Sequence, residues 1–108
     1  MFSNLIVSVI VPVFNEENTI KEIITLLQKV DFGGISKEII IVNDNSTDKS
    51  QDLINELSIN YKNIKSLNKN RNSGKGAAIR DALNYVSGDI IVIQDADLEY
   101  RPQDLNSL

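Results

Sequence analysis

Glu38-Ile39-Ile40-Ile41-Val42 and Asp89-Ile90-Ile91-Val92-Ile93 are the stretches that decide the fold. Each carries an unbroken β-branched run rather than an alternation of apolar and polar residues. A strand with one wet face alternates, whereas a strand buried on both faces reads as a continuous apolar run. The second pattern belongs to parallel sheets covered by helices on either side. Two further apolar runs, Ile6–Val11 and Ile64–Leu67, extend the series, and the run starts lie about 25–32 residues apart. That is the spacing of βαβ units.

The intervening segments have helical period. Ile20, Ile23, Ile24 and Leu27 fall at i, i+3, i+4 and i+7, and Thr19 with Glu22 has the form of a capping box. Leu53, Ile54 and Leu57 mark a second helix, led in by Ser46-Thr47-Asp48. Ile79, Ala82, Leu83 and Val86 mark a third, with Gly88 as its stop. The predicted architecture is therefore α/β: a Rossmann-like β-α-β-α-β-α-β order with a mostly parallel sheet and right-handed crossovers. Pro102-Gln103-Asp104-Leu105 has the form of another first helical turn. Residues 1–108 are thus expected to be part of a larger domain, truncated at the C-terminus, with an incomplete sheet whose edge could pair with a second copy.

Composition narrows the chemistry. The 108 residues contain no cysteine and no histidine. A disulfide framework, a thiol nucleophile, a usual zinc site and a Ser-His-Asp triad are all excluded. Chemistry must run on carboxylates, Lys and Arg, hydroxyls, amides and backbone dipoles, and any metal should be a hard, oxygen-loving one. A net charge of −4 argues against a nucleic-acid partner. The start lacks the basic region of a signal peptide, so a cytoplasmic location is the default expectation.

In open α/β sheets ligands bind beyond the carboxyl ends of the strands. Four polar loops follow the four apolar runs and are expected to converge there. The sharpest feature is Asp95-Ala96-Asp97, continued by Glu99. In extended chain these three carboxylates point to one side, and like charges so close call for a cation between them. Gly88 to Tyr100 contains no Lys or Arg, so a divalent metal is the natural partner; the alternative is a solvated acidic turn capping the next helix. Tyr61 to Arg80 holds six basic residues and no acidic one, and Gly74-Lys75-Gly76 opens the third helix. A phosphate neighbour there competes with a merely solvated basic helix start. It is neither a Walker loop, since Lys69 stands where the first Gly is required, nor a dinucleotide fingerprint, since Ile79 holds the third Gly position.

Val9-Ile10-Val11-Pro12-Val13-Phe14-Asn15-Glu16-Glu17 and Ile40-Ile41-Val42-Asn43-Asp44-Asn45-Ser46-Thr47-Asp48 resemble signature segments of the inverting family 2 glycosyltransferases, which have the GT-A fold. Asn72-Ser73-Gly74-Lys75-Gly76-Ala77-Ala78 and Gly88-Asp89 through Tyr100 resemble the polyprenyl-phosphate (dolichol-phosphate) mannosyl- and glucosyltransferase branch. The resemblance implies transfer of a hexose from a nucleoside-diphosphate sugar, GDP-mannose or UDP-glucose, to a polyprenyl phosphate or another lipid-phosphate or glycan acceptor. It implies that Pro12, Phe14 and Glu16 lie against the nucleoside, that Val42 and Asp44 read base and ribose, and that Asp95 and Ala96 line the ribose–phosphate side. Asp97 and Glu99 would bind Mg²⁺ or Mn²⁺, with Lys75 near the phosphates. Peripheral association with the cytoplasmic membrane face follows from such acceptors. An acceptor that is already an anion needs no base, which suits a chain without histidine. A base for a hydroxyl acceptor would come from the later half of the family's domain, so catalytic residues are not expected within 1–108.

Two departures from the pattern stand out. Asn43-Asp44-Asn45-Ser46 replaces the usual Asp-Asp-Gly-Ser, where Asn45 can still adopt the positive φ that glycine supplies. Arg101 stands where the branch often has Asp. The same residues admit two other functions. Ile91 through Asp97 also resembles the nucleophile motif of haloacid-dehalogenase-type phosphatases, which requires further stations downstream and gives the other three loops no role. A non-catalytic nucleotide-sugar-binding or interaction module is the other alternative.

Overall fold

The structure, a computed structural model, describes residues 4–97. Four strands, β1 (Ile6–Val13), β2 (Ser36–Asn43), β3 (Ile64–Asn68) and β4 (Ile90–Ile93), alternate with helices α1 (Ile20–Lys29), α2 (Ser50–Asn60) and α3 (Lys75–Ala82). They form one sheet in the order β3-β2-β1-β4, and every pairing is parallel. The expected α/β order is observed. The expected turn beginning at Pro102 lies outside the described residues.

The sheet order places the helices. The chain steps outward from β1 to β2 to β3, then returns across the sheet to β4 on the other side of β1. Crossovers of one hand must then put helices on opposite faces for the two directions. Val7, Val9, Val11 and Val13 of β1, with Ile39 and Ile41 of β2, face α1 and α2 in a cluster of fourteen buried residues among those described. Ile10, Ile40 and Val42 point the other way, against Ala78 and Ala82 of α3, a cluster of only five. The α1/α2 face is a thick branched-aliphatic core, and the α3 face is a thin one.

Four details differ from the sequence expectations. Thr19 precedes α1 but makes no side-chain cap, so the Thr19–Glu22 capping box does not form. Its hydroxyl reaches Glu16 Oε2 at 3.2 Å and the Ala96 carbonyl instead. The third helix stops at Ala82 and tightens into a 3-10 turn over Leu83–Tyr85, leaving Leu83 half-exposed. Gly88 does not cap that helix. It passes β1 so closely that a Cβ there would meet Ile6 O at 2.7 Å and Ser8 N at 2.9 Å. Finally, among the described residues β4 pairs with β1 alone, and Ile90, Ile91 and Ile93 are each close to half-exposed rather than buried on both sides.

Candidate functional site

The switch point of this topology lies between β1 and β4, where the strand order reverses, and crevices for ligands open there. A cavity of about 290 Å³ occupies that place, lined by Pro12, Val13, Phe14, Glu16, Asp44, Lys75, Ala78, Asp95, Ala96 and Asp97. Of the ten residues singled out from the sequence, eight therefore meet around one opening. Val42 does not. Its side chain is fully buried beneath α3 with Ile10, Ile40, Ala78 and Ala82, so it supports the floor and offers no side chain to a ligand. Glu99 lies outside the described residues.

The walls are tied together by hydrogen bonds between loops distant in sequence. Asn15, at φ 54°, turns the chain after β1. Its Oδ1 accepts from Thr47 N at 2.8 Å and Asp48 N at 3.2 Å, while its own N–H donates to Ser46 Oγ at 3.0 Å. Glu16 N–H donates to Ser50 Oγ at 2.9 Å, and Glu17 N–H to Asp48 Oδ2 at 3.2 Å. Burial pushes the Asp48 carboxyl up, but hydrogen bonds from Ser50 and from the Glu17 backbone outweigh it and hold the group below its ordinary range. Asn45 adopts φ 61°, the left-handed conformation expected of it in place of glycine. The Thr19 hydroxyl, bonded to the Ala96 carbonyl, fixes the loop after β4 to the start of α1.

Asp44 behaves unlike a side chain waiting for a ligand. It is 4% exposed. Its Oδ1 accepts from Ser73 N at 3.0 Å and Ser73 Oγ at 3.1 Å, and its Oδ2 accepts from Gly74 N at 2.8 Å. The start of α3, expected to attract a phosphate, thus already has an anion from within the chain. Lys75, the first residue of α3, forms an ion pair with Asp95 across the cavity.

The donor set suits a hard divalent cation. Asp95, Asp97 and Glu16 all line the same opening. Among the described residues no three such groups cluster closely enough to hold a metal alone. Mg²⁺ commonly takes only one or two protein carboxylates and completes its shell with substrate phosphates and water, so the residues present fit that mode of binding.

Residues 8–108 match the family model "Glycosyl transferase family 2". The chain belongs to that family. Its sheet is the N-terminal part of a GT-A fold. A dolichol-phosphate mannosyltransferase of Pyrococcus furiosus is 32% identical over 97 residues, covering 90% of this chain and 27% of that protein. The mannosyltransferase PcManGT from Pyrobaculum calidifontis, solved with GDP-Man and Mn²⁺, superposes with a TM-score of 0.78 at 29% identity, over 84% of this chain and 27% of that one. S. aureus TarS 1-349 with UDP-GlcNAc superposes at 0.80 and 30% identity, over 95% and 30%. The chain spans a third or less of the length of the curated relatives it matches. Family 2 membership takes the place of the phosphatase reading of Asp95-Ala96-Asp97. No helix among the described residues is long and apolar enough to cross a membrane.

Two structural groups escaped the sequence reading. Asn15 carries no local signal beyond its tolerance of positive φ. The local pattern with Glu22 makes Thr19 read as a cap, while its actual partner, Ala96, lies 77 residues away.

Proposed function

We propose that the cavity binds the nucleoside diphosphate of a sugar donor together with Mg²⁺ or Mn²⁺. In the longer protein it would then serve inverting, metal-dependent transfer of a hexose, from GDP-mannose or UDP-glucose, to a polyprenyl phosphate. The observation that carries the proposal is the charge of the lining: four carboxylates, Glu16, Asp44, Asp95 and Asp97, against the single ammonium of Lys75. A diphosphate entering such a site alone would be repelled, so it must arrive with positive charge. The relatives solved with GDP-Man and Mn²⁺ and with UDP-GlcNAc support this choice of ligand.

In this reading the half-exposed Phe14 ring, with Pro12 beside it, offers an apolar face to the nucleoside base. Lys75, whose side chain is half-exposed, exchanges Asp95 for a phosphate oxygen. Asp97, with Glu99 by resemblance, holds the cation, which when bound stabilises the charge that develops on the leaving diphosphate. The attacking group is an oxygen of the acceptor phosphate. It forms the new bond to the anomeric carbon as the bond to the diphosphate breaks, and inversion follows from attack on the opposite face. No proton has to be removed, which agrees with a chain that has no histidine.

Calorimetric titration with UDP and with GDP, each with and without Mg²⁺ or Mn²⁺, tests the reading. Binding of one nucleotide only in the presence of metal is expected, and Asp97→Ala should abolish it. Metal-independent binding, or no binding to the folded protein, would overturn the assignment.

A further inference from the structure

The loop after β4 carries Asp95 and Asp97, yet the strand gives it a slender base. β4 has four residues and, among the described residues, pairs with β1 alone. Gln94 and Ala96 are buried and alternate with the two acids, which line the cavity. Ala96 is thus the pivot between them. Its methyl group joins the core packed against α1 and α2, and its carbonyl accepts from the Thr19 hydroxyl. That carbonyl belongs to the peptide plane that carries the Asp97 nitrogen, so holding it sets the direction in which Asp97 leaves the backbone. Thr19 is itself well anchored: its N–H donates to Glu16 O at 3.1 Å, and its carbonyl accepts from Ile23 N at 3.0 Å. Ile20, Ile23, Ile24 and Leu27 behind it are fully buried. A threonine at a helix start ordinarily caps the helix, but this hydroxyl caps nothing in α1.

We propose that Thr19 is a positioning residue for the cation. Through the Ala96 carbonyl it fixes the Ala96–Asp97 peptide, and so sets where the Asp97 carboxylate meets Mg²⁺ or Mn²⁺. The proposal rests on the donor reading above. A hydroxyl has one proton, and Glu16 Oε2, 3.2 Å from Thr19 Oγ1, competes with the carbonyl for it. Valine at 19 keeps the branched shape and removes the donor, leaving a buried carbonyl without that partner while α1 loses no cap. Serine keeps the donor.

The test compares the parent chain with Thr19→Val and Thr19→Ser, read as the affinity for UDP or GDP in the presence of Mn²⁺. Thr19→Val should weaken binding about tenfold, as loss of a group that orients a metal ligand does, and Thr19→Ser less than about twofold. Unchanged affinity in Thr19→Val, or an equal loss in Thr19→Ser, would overturn the proposal. Gly88→Ala separates positioning from stability. It forces a Cβ against Ile6 O and Ser8 N at the other end of β4 and should leave the affinity within about twofold. A loss matching that of Thr19→Val would mean that affinity follows the stability of β4, and would overturn the proposal. Carbon NMR of the unliganded protein reads the tie itself: the Ala96 carbonyl resonance should shift in Thr19→Val and stay in place in Thr19→Ser. No shift in Thr19→Val would give the hydroxyl proton to Glu16 and overturn the proposal. Should Thr19→Val not fold, Thr19→Ala carries the same expectations. Failure of the parent chain to bind either nucleotide with Mn²⁺ overturns the donor reading, whereas a binding parent with an unaffected Thr19→Val overturns the role of Thr19 alone.

Discussion

Two buried acids of one strand invite comparison, Glu38 near the start of β2 and Asp44 just past its end. Alternation along the strand puts Glu38, Ile40, Val42 and Asp44 on the face that α3 covers. Asp44 grips the entry to α3 through Ser73 and Gly74. Glu38 grips the exit: Ser87 N–H donates to Oε2 at 2.8 Å, Ser87 Oγ to Oε1 at 2.8 Å, and Lys65 Nζ lies 2.9 Å from Oε1. Ser8 Oγ donates to Oε2 at 2.5 Å and itself accepts from Gly88 N at 2.9 Å, binding the start of β4 to β1. The same crossing segment is pinned at both ends, and the reason lies in the core. Ala78 and Ala82 bury too little apolar surface to secure α3 by packing alone, so carboxylates supply directional bonds there. The difference lies in location. The Glu38 end is closed and saturated, while the Asp44 end opens onto the cavity. A structural acid and the neighbourhood of the proposed donor site thus share one strand.

Removing Glu38 should have the largest effect. Glu38→Ala strands Ser8, Ser87 and Lys65 and is expected to cost about 3–4 kcal/mol in urea unfolding, without altering the Ser73 and Gly74 amides. The pH dependence sharpens the contrast. Burial pushes the Glu38 carboxyl up, but hydrogen bonds from Ser8, Ser87 and Lys65 outweigh it and hold the pKa at about 2. The folded form then binds fewer protons than the unfolded one between about pH 4.5 and 2, so stability falls as acid is added. About 3 kcal/mol should be present at neutral pH and lost through that window, and Glu38→Gln should flatten the profile. Gly88→Ala forces a Cβ against Ile6 O and Ser8 N and should cost about 1–3 kcal/mol by thermal or urea unfolding. Lys21→Met, which breaks the exposed Lys21–Glu56 pair far from both clamps, should change stability by no more than about 0.5 kcal/mol.

The sequence announced what local patterning encodes. Four apolar runs became four parallel strands, the Ile20 to Leu27 stripe became α1, and Asn45 took the positive φ foreseen for it. The four loops converged because the carboxyl ends of parallel strands must share one edge. What stayed hidden depends on partners remote in the chain. Glu38 looked like the polar first residue of a strand, since Ser87 is 49 residues away and Ser8 is 30. Gly88 looked like a helix stop because Ser8, 80 residues earlier, leaves no trace in its local context. The exposure of β4 goes with its pairing to β1 alone among the described residues, which composition does not encode.

In the proposed function the metal and nucleotide lie at the Asp44 end of β2, six residues along the strand from Glu38 and so about 20 Å away. Line broadening of backbone amides by paramagnetic Mn²⁺, with UDP or GDP present, reads that position directly because it falls steeply with distance. Phe14, Ser73 to Lys75 and Asp95 to Asp97 should broaden and disappear, while Ser8, Glu38 and Ser87 stay sharp. Broadening centred on Ser8, Glu38 and Ser87, or spread evenly over the sheet, would contradict the account.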